Sequence, residues 1–449
     1  MQVRHASARP ARPARHRLKV ARHRAAKAVA TGVVATMLAA FVAVGERIHQ
    51  LEGNMHVVRI EDFLVDRERP SQRATTAEAA PLDPFGGRAL NILITGIDTR
   101  SGENAAVAQD NMDSLLNDVN MVAHISADRS RVDIMAIPRD TLVALPACEL
   151  PNGQTSGAQR EDMINQTFAK GSGSDPEQKA AGMACTVRAV EQVTNILLDG
   201  FALVEFAGFA SVVDALGGVD ICVPDGLVGT KTHLSLEPGM HHLEGAEALQ
   251  FARTRYAKNW DGKWLDGADL VRINRQQELM AAIINEVLAS GGLSNLPKLN
   301  ATATAITRSL YVSPEFASVP ALAGLAYALR EIDLANVSLF RIPITAAGDR
   351  VRLSEWGDGE RFGGLGAAQI FELLATDQPI PGTTPYKVAH GLADAASPTP
   401  DPAGAQTPAD SPTPLAPTAP TAPATPAADE DFVTPLTAPV TCEVAGQGG

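Results

Sequence analysis

Aromatic side chains are scarce in this sequence, with Phe, Trp and Tyr making up 4% of 449 residues. So few stacking surfaces suit a single-stranded nucleic-acid binder poorly. Basic charge is not in excess either. The formal net charge is −13, whereas phosphate backbones are gripped by basic surfaces, so nucleic acid is excluded as a partner. Cysteine is limited to four residues, without CxxC or the Cys/His spacing of a zinc site. Five of the ten histidines precede residue 60, and the rest are scattered. No Walker loop, GxSxG elbow or HExxH helix is present. The remaining composition, 45% hydrophobic and 20% charged, is that of a folded globular chain.

The charge is unevenly placed. Residues 1–27 hold nine Arg or Lys and no acid, leaving 29 basic against 51 acidic residues in the rest. Directly after Lys27 come 18 uncharged residues, Ala28 to Gly45, closed by Glu46 and Arg47. That length suits a membrane-spanning helix, and it exceeds the apolar region of a cleaved signal peptide. The expectation is a cytoplasmic basic segment over 1–27 and one transmembrane helix over 28–45. Positive charge stays inside, so the body would lie outside the cell membrane. Disulfides are permitted there. Cys148 and Cys185 flank a polar Gly/Ser-rich excursion that a bridge would staple, which leaves Cys222 and Cys442, but four cysteines allow three pairings.

Residues 46–90 read as stalk and linker. A folded domain over 91–390 opens with ALNILITGID, a buried strand ending in a Gly turn, followed by strands in NMVAHISAD and RVDIMAIPRD. A helix near 182–198 precedes FALVEFAGFASVVDALGGVDICVP, which reads strand, helix, Gly-Gly turn, strand. In ADLVRINRQQELMAAIINEVLASGG, Ile273, Met280, Ile284 and Val287 share one helix face, and Gly291-Gly292 end it. NVSLFRIPIT and GAAQIFELLATD supply a late strand and helix. Strands interleaved with helices indicate an α/β class with α/β/α layers. Residues 391–449 are Pro/Ala/Thr-rich, lack apolar periodicity and are expected to be disordered.

The arginines of the folded part gather at strand ends, turns and one helix: Arg100, Arg139, Arg253, Arg255, Arg272 and Arg275. Asp98, Asp118, Asp140 and Asp269 stand beside them. Guanidinium forks match phosphate oxygens, and Mg²⁺ is typically held by one or two carboxylates plus substrate phosphates. Surface pairing of these charges is the plainer reading of any single residue, but their clustering points to a metal-assisted phosphoryl or pyrophosphate site. Asp269, Arg272 and Gln276 share a helix face, with Arg275 at its edge.

The segments ITGIDTR, NDVNMVAHISAD, IMAIPRDTLVALP, MINQTFAKGS, FALVEFAGFASVVDALGGVDICVP, LEPGMHHLEGAEALQFARTR and DGADLVRINRQQ occur in the order seen in the LytR–CpsA–Psr family of cell-wall enzymes, which the chain resembles over roughly 92–290. Two cysteines near 148 and 185 and a Pro-rich tail resemble its actinobacterial members. The resemblance implies an α/β/α domain with a mixed central sheet and a long pocket for a polyprenyl chain. It also implies Mg²⁺-dependent transfer of a phosphoglycan from a polyprenyl-pyrophosphate carrier to the C6 hydroxyl of muramic acid in peptidoglycan. On that basis Asp98 and Asp118 match the metal ligands. Arg139, Asp140, Arg253 and Asp269 would be catalytic, and Arg100, Arg255, Arg272 and Gln276 would bind substrate. One departure stands out: where the family commonly has Arg two positions before the second metal aspartate, this chain has Leu116. A register using Asp113 instead would not restore it. A non-catalytic scaffold binding polyprenyl lipid or glycan, and a prenyl pyrophosphatase, are the competing readings.

Overall fold

The structure is a computed structural model that describes residues 42–64, 83–99, 104, 115–265, 268–289, 296–348, 350–355, 364–382, 433–435 and 442. Two compact units result, residues 1–54 and 55–449. In the first, 42–54 form a helix whose surface carries a Gln50-to-Glu46 hydrogen bond of 3.3 Å. Among the described residues no helix is long and apolar enough to cross a membrane. Most of the span expected at 28–45 lies outside them.

The second unit is built on an eight-stranded mixed sheet. Its order is His56–Val57, Leu310–Val312, Gly200–Glu205, Leu90–Asp98, Leu116–Ile125, Val132–Ala136, Val337–Arg341 and Val433–Pro435. Leu90–Asp98 is parallel to Gly200–Glu205 and antiparallel to Leu116–Ile125. Strand alternation decides the layers. Leu93, Ile97, Val122, Met135 and Phe340 point to one face, where they pack with Phe168, Met183, Val190, Ile370 and Phe371 from three helices. Ile92, Ile94, Met121, Ile134 and Leu339 point to the other, against Ile273, Met280 and Ile284 of the helix Ala268–Ala289. A smaller apolar cluster, including Val213, Ile221, Leu236, Phe251 and Leu279, joins the hairpins around 219–243 to the helices Phe206–Leu216 and Gly245–Arg253.

Several sequence expectations need correction. The stretch 46–90 is not all stalk, because His56–Val57 pairs with Tyr311–Val312 and Val58 and Ile60 enter the core. The helix expected near 182–198 is Lys179–Thr194; Asn195 turns left-handed (φ 54°), which ends the helix and releases Ile196 and Leu198 into the core. Val287 is 44% exposed, since the helix face it shares runs on past the apolar surface that holds Ile284. Within the tail, Val433–Pro435 adds an edge strand to the sheet, and Cys442 bridges to Cys222. The Gly217-Gly218 turn forms as read, with φ of 87° and 94°.

Cys148 and Cys185 are bridged across 37 residues. Chain-entropy reasoning for a loop of that size gives about 4 kcal/mol. Denaturant unfolding of a Cys148→Ser, Cys185→Ser double variant is expected to show a loss of about 2–4 kcal/mol.

At the sheet end remote from Asp98, a buried network ties down the end of the helix Ala367–Ala375. His124 Nε2 lies 2.9 Å from Asp377 Oδ1, Arg131 donates to the same oxygen at 2.8 Å, and the Ala127 amide donates to Oδ2 at 3.0 Å. Burial alone would raise the Asp377 carboxyl, but these donors outweigh it and hold it below the usual carboxylate range. A depressed carboxyl stabilises the fold above its unfolded value and loses that contribution as pH falls through the folded one. Asp377→Asn is therefore expected to cost about 2 kcal/mol at neutral pH. The gap to wild type should close below about pH 4, which urea titrations across pH would show.

Candidate active site

The site begins with an irregularity in the sheet. Gly96 pairs with Val119 and Ile97 with Asn117, so Asp118 has no partner and forms a β-bulge. The extra residue flips the alternation. Met121 and Val119, then Asp118 and Leu116, all reach one pocket, across from Ile94, Gly96 and Asp98. Asp98 and Leu116 are directly opposed. A buried polar set behind the bulge supports it: Asn120 Nδ2 donates to the Asn117 carbonyl at 3.1 Å, Asn117 Nδ2 donates to Asn120 Oδ1 at 2.8 Å, and Thr95 Oγ1 donates to the Val119 carbonyl at 2.9 Å. Asn117 Oδ1 also accepts from the Phe168 amide at 3.2 Å, tying the bulge to the next helix.

The pocket holds about 430 Å³. One wall is a stripe of the helix Ala268–Ala289, where Arg272, Gln276, Leu279, Met280 and Ile283 line it in turn. The stripe is polar in its first half and apolar in its second, so the pocket has a charged end and an apolar end. Five cations line it (Arg139, Arg253, Arg255, Arg272 and Lys231) against the carboxylates of Asp98, Asp118 and Glu205. A surplus of positive charge in a chain of net charge −13 marks a place built for an anion.

The guanidinium groups are held in place. Arg139 Nη1 donates to Asp118 Oδ1 at 2.5 Å, and its Nε lies 3.2 Å from Asp140 Oδ1. Arg255 Nη2 reaches Asp140 Oδ2 at 3.2 Å, so the buried Asp140 braces two arginines from beneath. Arg272 Nη1 stands 3.9 Å from Asp118 Oδ2. Arg253 lies over the Phe206 ring, 4.6 Å from its centroid. The helix and the Arg253–Arg255 segment are clamped together, because Arg275 Nη2 donates to the Thr254 carbonyl at 2.7 Å and Gln276 Nε2 to that of Ala252 at 3.3 Å. Burial pushes the Arg275 guanidinium down to about 10, as desolvation disfavours its charged form. Arg275 is thus a buried brace behind the pocket wall.

Glu205, Lys231, Thr232 and Tyr256 line the pocket without having been singled out in the sequence. Glu205 is 3.3 Å from Lys179 Nζ and accepts from Asn104 Nδ2 at 3.2 Å. Burial would lower the Lys179 ammonium, but Glu205 outweighs it and holds it above the usual lysine value. Burial, then Glu205, pushes the neighbouring Tyr311 phenol up. Arg100 and Asp113 lie outside the described residues, as does the side chain of Asp269, whose backbone is in the first turn of the helix Ala268–Ala289. Among the described residues no cluster of three or more His, Cys, Asp or Glu could hold a metal.

The sequence profile of the LytR_cpsA_psr family matches residues 59–365. The chain belongs to that family. Among curated relatives, the cell wall biosynthesis protein LcpA of Corynebacterium glutamicum is 30% identical over 274 residues, covering 58% of this chain and 50% of LcpA. The polyisoprenyl-teichoic acid–peptidoglycan teichoic acid transferase TagT of Bacillus subtilis is 29% identical over 221 residues, 48% of this chain and 56% of TagT. The chain thus spans about half the length of the curated relatives it matches. A solved LytR-Csp2A-Psr enzyme from Actinomyces oris aligns at a TM-score of 0.46 with 19% identity, over 74% of this chain and 97% of that one.

Because Asn120 bonds across the bulge, Asn120→Ala should unfasten Asp118 without touching the pocket directly. The expected cost is about 1–3 kcal/mol of stability. Arg139 and Asp118 would separate, and a crystal structure of the variant retaining their 2.5 Å contact would refute the bracing role.

Proposed function

We propose that this chain transfers a phosphoglycan from a polyprenyl-pyrophosphate carrier to peptidoglycan, at the C6 hydroxyl of muramic acid. The observation that carries the reading is a single pocket whose charged end gathers Arg139, Arg253, Arg255 and Arg272 beside Asp98 and Asp118, while its other end is apolar. An amphipathic ligand with a pyrophosphate between a hydrocarbon chain and a sugar matches both ends. The prenyl chain would lie along Ile94, Met121, Leu279, Met280 and Ile283. The four arginines would grip the two phosphates through forked hydrogen bonds.

Asp98 and Asp118 face the same pocket from neighbouring strands and offer hard carboxylate oxygens, the donors that suit Mg²⁺. They would hold the ion, which supplies charge neutralisation at the phosphates when bound. The acceptor hydroxyl oxygen attacks the phosphorus that carries the glycan, and its proton leaves to a pocket carboxylate. The new O–P bond forms as the bridging O–P bond breaks, and polyprenyl phosphate departs. Arginines already fixed by Asp118 and Asp140 need little reorganisation to stabilise the charge that moves onto the leaving phosphate. The basic segment and apolar stretch at 1–45 support a single-pass anchor with the domain outside the cell membrane.

One observation favours a second reading, a non-catalytic binder of polyprenyl lipid or glycan. Leu116 faces the pocket directly opposite Asp98, at the position where the family resemblance implies Arg. The test is transfer of a labelled phosphoglycan from a prenyl-pyrophosphate donor to peptidoglycan with Mg²⁺. Arg253→Ala and Asp98→Ala are each expected to lower the rate by at least about 10²-fold while the protein stays folded. Leu116→Arg is expected to raise it. A wild type that binds donor yet never transfers would sink the enzyme reading.

A further inference from the structure

We infer that the hairpin after Tyr256 is the platform on which the acceptor glycan chain lies. This deepens the transferase reading and rests on it for the identity of the polysaccharide. The chain has three tryptophans, and two of them stand on one tight turn, with Trp260 45% and Trp264 53% exposed. Tryptophan is ordinarily one of the more buried residues, so two open indoles on one turn call for a ligand. The turn is stiff. The Asn259 amide donates to the Lys263 carbonyl at 2.9 Å, the Lys263 amide to Asn259 Oδ1 at 2.8 Å, and Gly262 takes a left-handed φ of 79°. The Trp260 amide donates to the Asp225 carbonyl at 2.9 Å, anchoring the hairpin to the turn that follows the strand Val219–Val223. A preformed surface loses little entropy when a ligand settles on it.

The hairpin is continuous with the pocket. Tyr256, 40% exposed, lines the charged end, with Lys231 Nζ 4.3 Å from its ring centroid. Two residues on, Lys258 opposes Trp264 and sits 4.8 Å from its ring centroid. A second cation-backed aromatic ring therefore follows the one that lines the pocket. A donor already has an apolar bed for its chain and guanidinium groups for its phosphates. A polysaccharide acceptor has neither anchor. Its pyranose rings present faces of C–H groups with partial positive charge, which pack on the negative face of an indole or phenol. Flanking polar groups, Asn259, Asp261 and Lys263, suit its hydroxyls. Aromatic and basic residues together also mark membrane surfaces. Here, however, the hairpin leaves the pocket at Tyr256, whose ring stands beside Lys231 and Arg255 of the charged end.

The full-length chain, its Trp260→Ala, Trp264→Ala and Trp264→Phe variants, and soluble glycan strands released from peptidoglycan by an amidase make the test. Tryptophan fluorescence and acceptor kinetics are the readouts. The alanine variants should bind strands about ten-fold more weakly, as for an aromatic hot spot. Acceptor KM should rise with kcat, donor affinity and melting temperature unchanged, and Trp264→Phe should recover most of the binding. Strand binding equal to wild type in both alanine variants overturns the proposal. So does a loss confined to donor binding or to attachment to anionic phospholipid vesicles. If wild type transfers to no acceptor while the alanine variants still lose strand binding, the transferase reading falls and the platform stands.

Discussion

One extra residue in one strand organises this site. Without the bulge at Asp118, the period of two along Leu116–Ile125 would send Asp118 and Leu116 to the face opposite Val119 and Met121. Asp118 would then lie on the other side of the sheet from Asp98 and the apolar bed. With the bulge, one strand lines both. Its cost is a broken ladder, offset by Asn117, Asn120 and Thr95, which supply the backbone there with side-chain partners in a buried setting. Other polar devices depend on this placement. Arg139 fixes on Asp118, Asp140 holds Arg139 and Arg255, and the clamp from Arg275 and Gln276 sets the height of the Arg253–Arg255 segment above them.

The arrangement separates residues that brace from residues that line the pocket. Asp140 is buried and spends its charge on two arginines. Arg275 is buried behind the wall and spends its strongest donor on a carbonyl. These groups keep the pocket-lining guanidinium groups in a fixed array, and fixed charges stabilise a bound anion without having to reorganise. The opposite end of the sheet carries a matching network, His124–Asp377–Arg131, which fastens the end of the helix Ala367–Ala375 to Leu116–Ile125 and, through His124 Nδ1 and Asn91 Oδ1 at 2.8 Å, to Leu90–Asp98. The strands that carry the aspartates are thus pinned at both ends.

Much of this was legible in the residues. The buried strands, the Gly-Gly turn and the helix of Arg272 and Gln276 follow from periodicity alone, and the helix ladder places Arg272, Gln276 and Met280 on one line. Arginine beside aspartate at strand ends pointed to a phosphate site, and eight of the ten residues named for it line or brace the pocket: Asp98, Asp118, Asp140, Arg139, Arg253, Arg255, Arg272 and Gln276. The NDVN run is the trace the bulge leaves in the sequence, polar residues packed into a strand that is otherwise apolar.

Local patterning along the chain determined which segments are strands and helices, because burial of alternating or 3.6-spaced apolar residues is a local constraint. It also determined that a basic tip and an apolar stretch precede an acidic folded body. Only the tertiary structure decided that Glu205, Lys231 and Tyr256 join the pocket, that Arg275 turns away from it, and that a short piece of the Pro-rich tail closes the sheet edge. Those outcomes depend on pairings between strands and loops far apart in sequence, for which a single strand or loop carries no periodic signal.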